Sequence, residues 1–166
     1  MFISPNILAF PTGAPSEHTG APGEKNCTSC HFGSLNETKP ELTLTGLENS
    51  IKPGSQLIIT LRLSHKKMKV GGIQLSIRSV NDKNLSPGDM YSSQLVSSYT
   101  KGIVYLNHQY PLQNYLDTLK ITIHWKVPEN EDIVLLNVAM VAGDNDLSPF
   151  GDSVVLLQRK IKINHD

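Results

Sequence analysis

The chain has 166 residues, and its 15 basic and 15 acidic side chains give a formal net charge of zero. Such a balance produces no field that favours nucleic acid or an anionic membrane, so we expect neither as a partner. No stretch approaches the roughly 18 apolar residues of a membrane-spanning helix, and we expect no membrane span in this chain. The length suits one domain that can bury a sizeable core.

Residues 1–40 hold five of the ten prolines, together with several glycines. Such a segment forms no long regular element and has too little apolar surface to fold alone. We predict an extended N-terminal arm over 1–40, with one short helical turn around the cysteines. The first ten residues are apolar but lack the basic front of a signal peptide, so they are either the end of a truncated signal peptide or an ordinary strand or arm.

The arm carries both cysteines of the chain in the pattern C-x-x-C-H, formed by Cys27, Cys30 and His31. This is the attachment pattern of a c-type haem, because two thiols at this spacing can add across the two vinyl groups of one porphyrin. The histidine that follows can bind the iron from one side. The motif therefore predicts one covalent haem c, with Cys27 and Cys30 as the thioether residues and His31 as the proximal ligand.

Two other interpretations of the motif stay open. A redox-active dithiol is expected in a βαβ setting, whereas the flanking residues here are rich in glycine and proline. A structural zinc site usually takes four nitrogen or sulfur ligands, and the sequence has neither a second C-x-x-C pair nor closely spaced histidines. The spacing and its setting favour haem.

From about residue 41 the hydrophobic period is two, which predicts strands with one buried face. We predict such strands at 41–45, 57–64, 73–78 and 118–127, a strand covered on both faces at 133–141, and one at 154–163 whose pattern breaks or bulges at 158–160. Glycine and proline clusters, including Gly71 and Gly72, mark turns between them. Seven or eight strands and no long amphipathic helix predict an all-β, antiparallel β-sandwich over 41–166, forming one structural unit with the arm.

Short motifs resemble those of the bacterial choice-of-anchor V domains. The most specific block is FPTGAP at 10–15 and TGAPGE at 19–24, followed by C-x-x-C-H. Further matches are GIQL at 72–75, YLNH at 105–108, WKVP at 125–128, AGDN at 142–145 and GD at 151–152. Ile73, Val127 and Asp144 depart from that family's aromatic, small and asparagine residues. The resemblance, from about 9 to 163, implies an exported haem protein on a Reeler-like or immunoglobulin-like β-sandwich.

The second axial ligand of the iron decides what such a haem can do. A strong protein ligand suits electron transfer, whereas an open position admits gases or peroxide. The candidates are His18, His65, His108, His124, His165, Met68, Met90 and Met140. We predict His108 as the distal ligand, because it follows an apolar segment at the expected rim of the sandwich and aligns with the histidine of that family's Y-x-x-H. We expect Met140 to pack in the core, His124 to face solvent, and His18 to be less well placed than a residue from another segment.

The sequence thus predicts an exported monohaem c-type cytochrome that transfers single electrons through a low-spin haem and turns over no substrate. We expect a redox partner protein of unknown identity, and a periplasmic, cell-surface or secreted location, because covalent haem attachment generally happens outside the cytoplasm. Two alternatives stay open: a haem-based sensor of gases or peroxide, and a cell-surface interaction module with structural haem. Asp144, Asn145, Asp146 and Asp152 are oxygen-rich enough for calcium, but an ordinary turn is the simpler interpretation.

Overall fold

The computed structural model of the chain describes residues 12–33, 39–47 and 50–165. These ranges contain one 3-10 helix, Cys27–Ser29, and ten strands: β1 (Glu41–Thr45), β2 (Gln56–Ser64), β3 (Val70–Ser79), β4 (Asp89–Tyr91), β5 (Val96–Thr100), β6 (Ile103–Asn107), β7 (Leu112–Gln113), β8 (Thr118–Lys126), β9 (Ile133–Gly143) and β10 (Ser153–Lys162). Within them no helix is long and apolar enough to cross a membrane. The first ten residues, which we interpret as a signal-peptide end or an arm, lie outside the described residues.

The strands form two antiparallel sheets. The smaller sheet has the order β1-β2-β8-β4, and the larger has the order β10-β9-β3-β6-β5, with β7 paired to β3. Leu61 and Ile121 of the smaller sheet and Leu75 and Val138 of the larger belong to one buried cluster between the two layers. The prediction of an all-β fold with two antiparallel sheets is confirmed, with ten strands in place of seven or eight.

The strand β9 is an interior strand of the larger sheet, between β10 and β3, and is buried on both faces, as its almost continuously apolar sequence predicts. Val138 and Met140 point into the core between the sheets. Ala139 and Val141 point to the outer face, where they pack against Cys27. The outer face of the larger sheet is therefore a second buried surface, which the arm covers.

One local prediction is wrong, and a second is confirmed only in part. Gly71 and Gly72 form no turn, because they lie within β3 and pair with Ala142 and Val141 of β9. Ten consecutive pairs with β9 outweigh the weak local preference of glycine for turns. The alternation does break at 158–160, where three consecutive residues are exposed, but the bulge that we gave as the other alternative is absent. The strand β10 stays in register with β9 throughout, and as an edge strand it can expose consecutive polar residues there.

The described part of the arm, residues 12–33, packs on the outer face of the larger sheet. Gln74 of β3 is its first anchor. The amide nitrogen of Gln74 donates to the backbone oxygen of Pro15 at 2.9 Å, and its amide oxygen accepts from the backbone nitrogen of His18 at 2.6 Å. Since the Gln74 side chain is buried, these bonds also satisfy polar atoms that have lost their water.

Glu24 is the second anchor, and it is a buried charge. Its Oε1 accepts hydrogen bonds from the Arg78 guanidinium and from the Tyr105 hydroxyl, the latter at 2.5 Å. Its Oε2 accepts from the Thr19 hydroxyl at 2.5 Å, which closes the turn of the TGAPGE segment. Only 5% of the Glu24 side chain is exposed, so the carboxylate depends on these donors in place of water.

We expect Glu24→Ala to lower the free energy of unfolding by about 3 kcal/mol or more, because it leaves the buried Arg78 guanidinium without its counter-ion. Glu17→Ala is the matched control, since Glu17 belongs to the same arm and pairs with Lys101 at the exposed surface. Exposed pairs contribute little to stability. Urea unfolding of both variants checks this, and equal losses would show that Glu24 is no anchor.

Tyr105 gives the same anchor a pH dependence. Burial, and next its hydrogen bond to the Glu24 carboxylate, raise the pKa of Tyr105 above its ordinary value. A raised folded-state pKa contributes stability that is complete below the unfolded pKa of about 10 and is lost as the pH rises towards the folded pKa. We therefore expect the free energy of unfolding to fall from about pH 9 to about pH 11 more steeply in the wild type than in Tyr105→Phe. Parallel curves in urea titrations would contradict this.

Candidate functional site

A groove opens on the outer face of the larger sheet, between the arm and the loop that follows β9. Its empty space is about 890 Å³, a figure that includes the part open to solvent. Val70, Gly72 and Val141 contribute the sheet residues of its lining, while Ala14 and Leu147 belong to the arm and the loop. The lining surface is mostly apolar by area, but nine polar side chains of the described residues also contribute to it: His18, Asn26, His31, Gln74, His108, Asn145, Asp146, Ser148 and Asp152.

The three side chains of the C-x-x-C-H motif line this groove together. The 3-10 helix that contains Cys27 begins after Asn26, whose side-chain oxygen accepts from the backbone nitrogen of Thr28 at 2.8 Å. The backbone nitrogen of His31 donates to the oxygen of Cys27 at 2.9 Å, which closes the turn. This turn thus places the two thiols and the imidazole together in the lining of the groove.

The two thiols have different environments. Cys27 packs against Ala139, Val141 and Val154, and this burial raises the pKa of its thiol to about 12. Cys30 is partly exposed. Redox-active dithiols rely on a thiolate with a lowered pKa, so the surroundings of Cys27 are unlike those of a dithiol redox centre.

His31 is held by Asp152. The backbone of Phe32 bridges to the loop before β10: its nitrogen donates to Pro149 and its oxygen accepts from Gly151, both at 2.7 Å. This bridge brings Asp152 beside the motif, where its Oδ2 lies 2.5 Å from Nδ1 of His31. Our sequence interpretation placed Asp152 in an ordinary or calcium-binding turn and missed this contact. The GD pair at 151–152 was the available signal.

His108 lines the same groove. It directly follows β6, and its ring lies over Gly72, where an added Cβ would come 3.0 Å from Cε1 of the imidazole. Its Nδ1 lies 3.0 Å from both the nitrogen and the oxygen of Ile73. If Nδ1 carries the proton, it donates to the oxygen and Nε2 keeps the lone pair that a metal needs; otherwise Nδ1 accepts from the Ile73 N–H and Nε2 is protonated.

His18 also lines the groove, because the arm folds back towards its own motif. Its Nδ1 lies 3.0 Å from the backbone oxygen of Pro15 and 3.1 Å from that of Ser16. Carbonyl oxygens only accept, so Nδ1 carries the proton and Nε2 keeps its lone pair. Although we expected an arm histidine to be less well placed, His18 remains a second possible ligand from the groove wall.

The other possible ligands lie elsewhere. Met68 and Met140 are buried in the core between the sheets, with Met90 packed at its edge. His124 stacks on Tyr91 with a distance of 4.6 Å between ring centroids, on β8 of the smaller sheet. Of the described residues that line the groove, the only histidines are His18, His31 and His108, and none is a methionine.

The acidic loop after β9 uses its carboxylates in turns. Oδ1 of Asp144 accepts from the backbone nitrogen of Asp146 at 3.1 Å, and Oδ1 of Asp146 accepts from that of Ser148 at 2.7 Å. Across 12–33, 39–47 and 50–165, no three or more His, Cys, Asp or Glu side chains are grouped to hold a metal ion. A haem iron takes at most two ligands from the protein, so that finding concerns other kinds of metal site.

Comparison with solved structures identifies the fold. The Reelin-N domain of F-spondin superimposes with a TM-score of 0.54 at 14% identity, covering 83% of this chain and 95% of that domain. The fold is reeler-like. The human F-spondin reeler domain gives a TM-score of 0.49 at 13% identity over 81% and 94% of the two chains. AvmM, which catalyses macrocyclization in alchivemycin A biosynthesis, gives 0.48 at 10% identity over 77% and 90%.

No family model matches the sequence, and no curated protein matches it. At 14% identity the likeness to the Reelin-N domain concerns the fold alone. It confirms the Reeler-like part of the expected architecture. The haem motif, its ligands and the choice-of-anchor V relationship stay predictions.

The unequal burial of the thiols is testable in the haem-free chain. We expect iodoacetamide at about pH 8 to label Cys30 at least tenfold faster than Cys27, because burial and a high pKa both withhold the thiolate of Cys27. Mass spectrometry of the alkylated peptides measures this, and labelling in denaturant, where the rates should be similar, is the control. Fast labelling of Cys27 in the folded chain would contradict its placement.

Proposed function

We propose that this protein is a monohaem c-type cytochrome domain, with haem attached through Cys27 and Cys30 and His31 as the proximal ligand. The observation that carries the proposal is that all three side chains of the attachment motif line one apolar groove, and that His108 lines it too. A motif that matched by chance would have no reason to open onto an apolar groove with a further histidine in its lining.

The residues of the groove fit this group. Each thiol would form one C–S bond to a vinyl carbon and give its hydrogen to the neighbouring carbon. His31 would bind iron through Nε2, since its Nδ1 is engaged by Asp152. Gly72 leaves room for the His108 ring against the sheet, and Val141 offers an apolar surface. When bound, haem supplies a one-electron couple.

The proposed role is electron transfer with His108 as the distal ligand. The absence of methionine from the described groove lining supports a nitrogen ligand. A second histidine gives a lower reduction potential than a methionine. The role includes a redox partner protein, export from the cytoplasm and kinship with the choice-of-anchor V domains, which the attachment chemistry and the motifs at 10–15 and 19–24 support.

A haem-based sensor of gases or peroxide is the second candidate. One observation favours it: the backbone nitrogen of Ile73 lies in position to donate to Nδ1 of His108. In that tautomer Nε2 carries the proton and cannot bind iron, so the sixth position would stay open. A cell-surface module with structural haem has no comparable support in the groove.

We expect the chain, expressed with a c-type maturation system in the periplasm, to gain the mass of one haem and to show a low-spin spectrum both oxidised and dithionite-reduced. The doubly substituted Cys27→Ser, Cys30→Ser variant is the control and should gain none. Failure of the reduced protein to bind CO supports the carrier, and rapid CO binding supports the sensor. Matured protein with the bare polypeptide mass and no visible absorption would refute the proposal.

The distal ligand is tested by substitution. We expect His108→Ala to produce a high-spin, CO-binding haem, whereas His18→Ala keeps the low-spin spectrum, because only the first removes the ligand. His124→Ala, on the smaller sheet, is the control for loss of an unrelated histidine. A low-spin spectrum that survives in His108→Ala but is lost in His18→Ala would assign the position to His18 and overturn His108.

A further inference from the structure

We propose that Asp152 is the positioning residue of the site: it holds the proton of His31 on Nδ1, keeps Nε2 available for iron, and lowers the reduction potential of the iron bound there. The first part concerns the chain alone. The second part rests on the proposed function. Asp152 is separated from His31 by 121 positions in the chain, so only the fold brings the two side chains together.

The contact is short and sheltered. Oδ2 of Asp152 lies 2.5 Å from Nδ1 of His31, and the exposed fractions of the two side chains are 7% and 22%. A buried carboxylate that has lost its water needs a donor, and the imidazole N–H supplies one. Because a carboxylate only accepts hydrogen bonds, the proton resides on Nδ1 and the lone pair on Nε2.

The backbone holds Asp152 in this place. It directly precedes β10, whose first residue pairs with Ala142 of β9, and the bridge between Phe32 and Phe150 fixes the preceding loop to the motif. Gly143 at the end of β9 leaves room for the carboxylate, since an added Cβ there would come 3.0 Å from Oδ1 of Asp152. The site thus provides a rigid partner for His31 rather than a mobile side chain.

A carboxylate partner changes the ligand itself. Metal-binding histidines that donate to a carboxylate are more basic than those that donate to a carbonyl or water. Such charge-assisted bonds are also roughly twice as strong as neutral ones. A more basic imidazole stabilises ferric iron more than ferrous iron, because the ferric ion carries the larger charge. Asp152 therefore lowers the potential.

The tautomer can be read in the haem-free protein. We expect long-range 15N–1H NMR spectra of the wild type to show His31 protonated on Nδ1. Asp152→Asn should show a mixture of tautomers, because an amide can donate as well as accept. Equal spectra for the two proteins, each shown to be folded by its backbone amide spectrum, would overturn the positioning role whether or not haem binds.

The potential is measured in the matured protein. We expect Asp152→Asn to raise the reduction potential by about 59 mV, which corresponds to a tenfold change in the one-electron equilibrium constant. Asp152→Glu should retain most of the wild-type value. Asp144→Asn is the matched control, because it removes the same charge from the same loop and keeps the oxygen that caps the turn.

The outcomes separate the two proposals. A wild type without haem refutes the proposed function, and the NMR measurement still tests the tautomer. A holoprotein whose potential is unchanged in Asp152→Asn, or is raised equally by Asp144→Asn, overturns the role of the hydrogen bond. If Asp152→Asn fails to fold, Asp152→Ala takes its place in both measurements, because alanine also removes the carboxylate. A reduction potential raised by about 59 mV supports the role, and one equal to that of the wild type overturns it.

Discussion

The Glu24 carboxylate is the interaction on which the groove depends. Glu24 belongs to the arm, and its side chain is buried against the larger sheet. There it accepts hydrogen bonds from Arg78 and Tyr105 of the sheet and from Thr19 of the arm. A charge in such a place stabilises one arrangement, because any displacement of the arm would leave both the carboxylate and the guanidinium unpaired. Cys27 follows only three residues later, so the same contact decides where the motif meets the sheet. Without it, the motif would depend on the Gln74 contacts before it and the Phe32 bridge after it.

Four distant parts of the chain meet at the site, and each has a different physical task. The arm supplies the thiols and His31, the end of β6 leads into His108, and β3 supplies Gly72, over which the His108 ring lies. The loop before β10 supplies Asp152, which orients His31. The proposed ligands and thioether residues thus lie on irregular segments, and the sheets hold those segments in fixed positions. Functional residues on loops that a rigid scaffold positions are common in proteins.

The predictable part of the molecule is the part governed by local pattern. Alternation along 118–127 predicts β8, and the almost continuously apolar run at 133–141 predicts a strand buried on both faces. Gly71 and Gly72 show the limit, because their local preference for turns is overruled by pairing with β9. Asp152 shows the same limit in the site: the meaning of its carboxylate depends on His31, far away in the chain.

The sequence by itself determined the C-x-x-C-H spacing, the strand period and the zero net charge, since these are properties of neighbouring residues or of composition. Only the tertiary structure decided that the arm folds over the outer face, that Cys27 is buried while Cys30 is not, and that Asp152 faces His31. The reason is physical: burial and hydrogen-bond partners are set by contacts between segments far apart in the chain, and no local pattern of residues encodes which segments will meet.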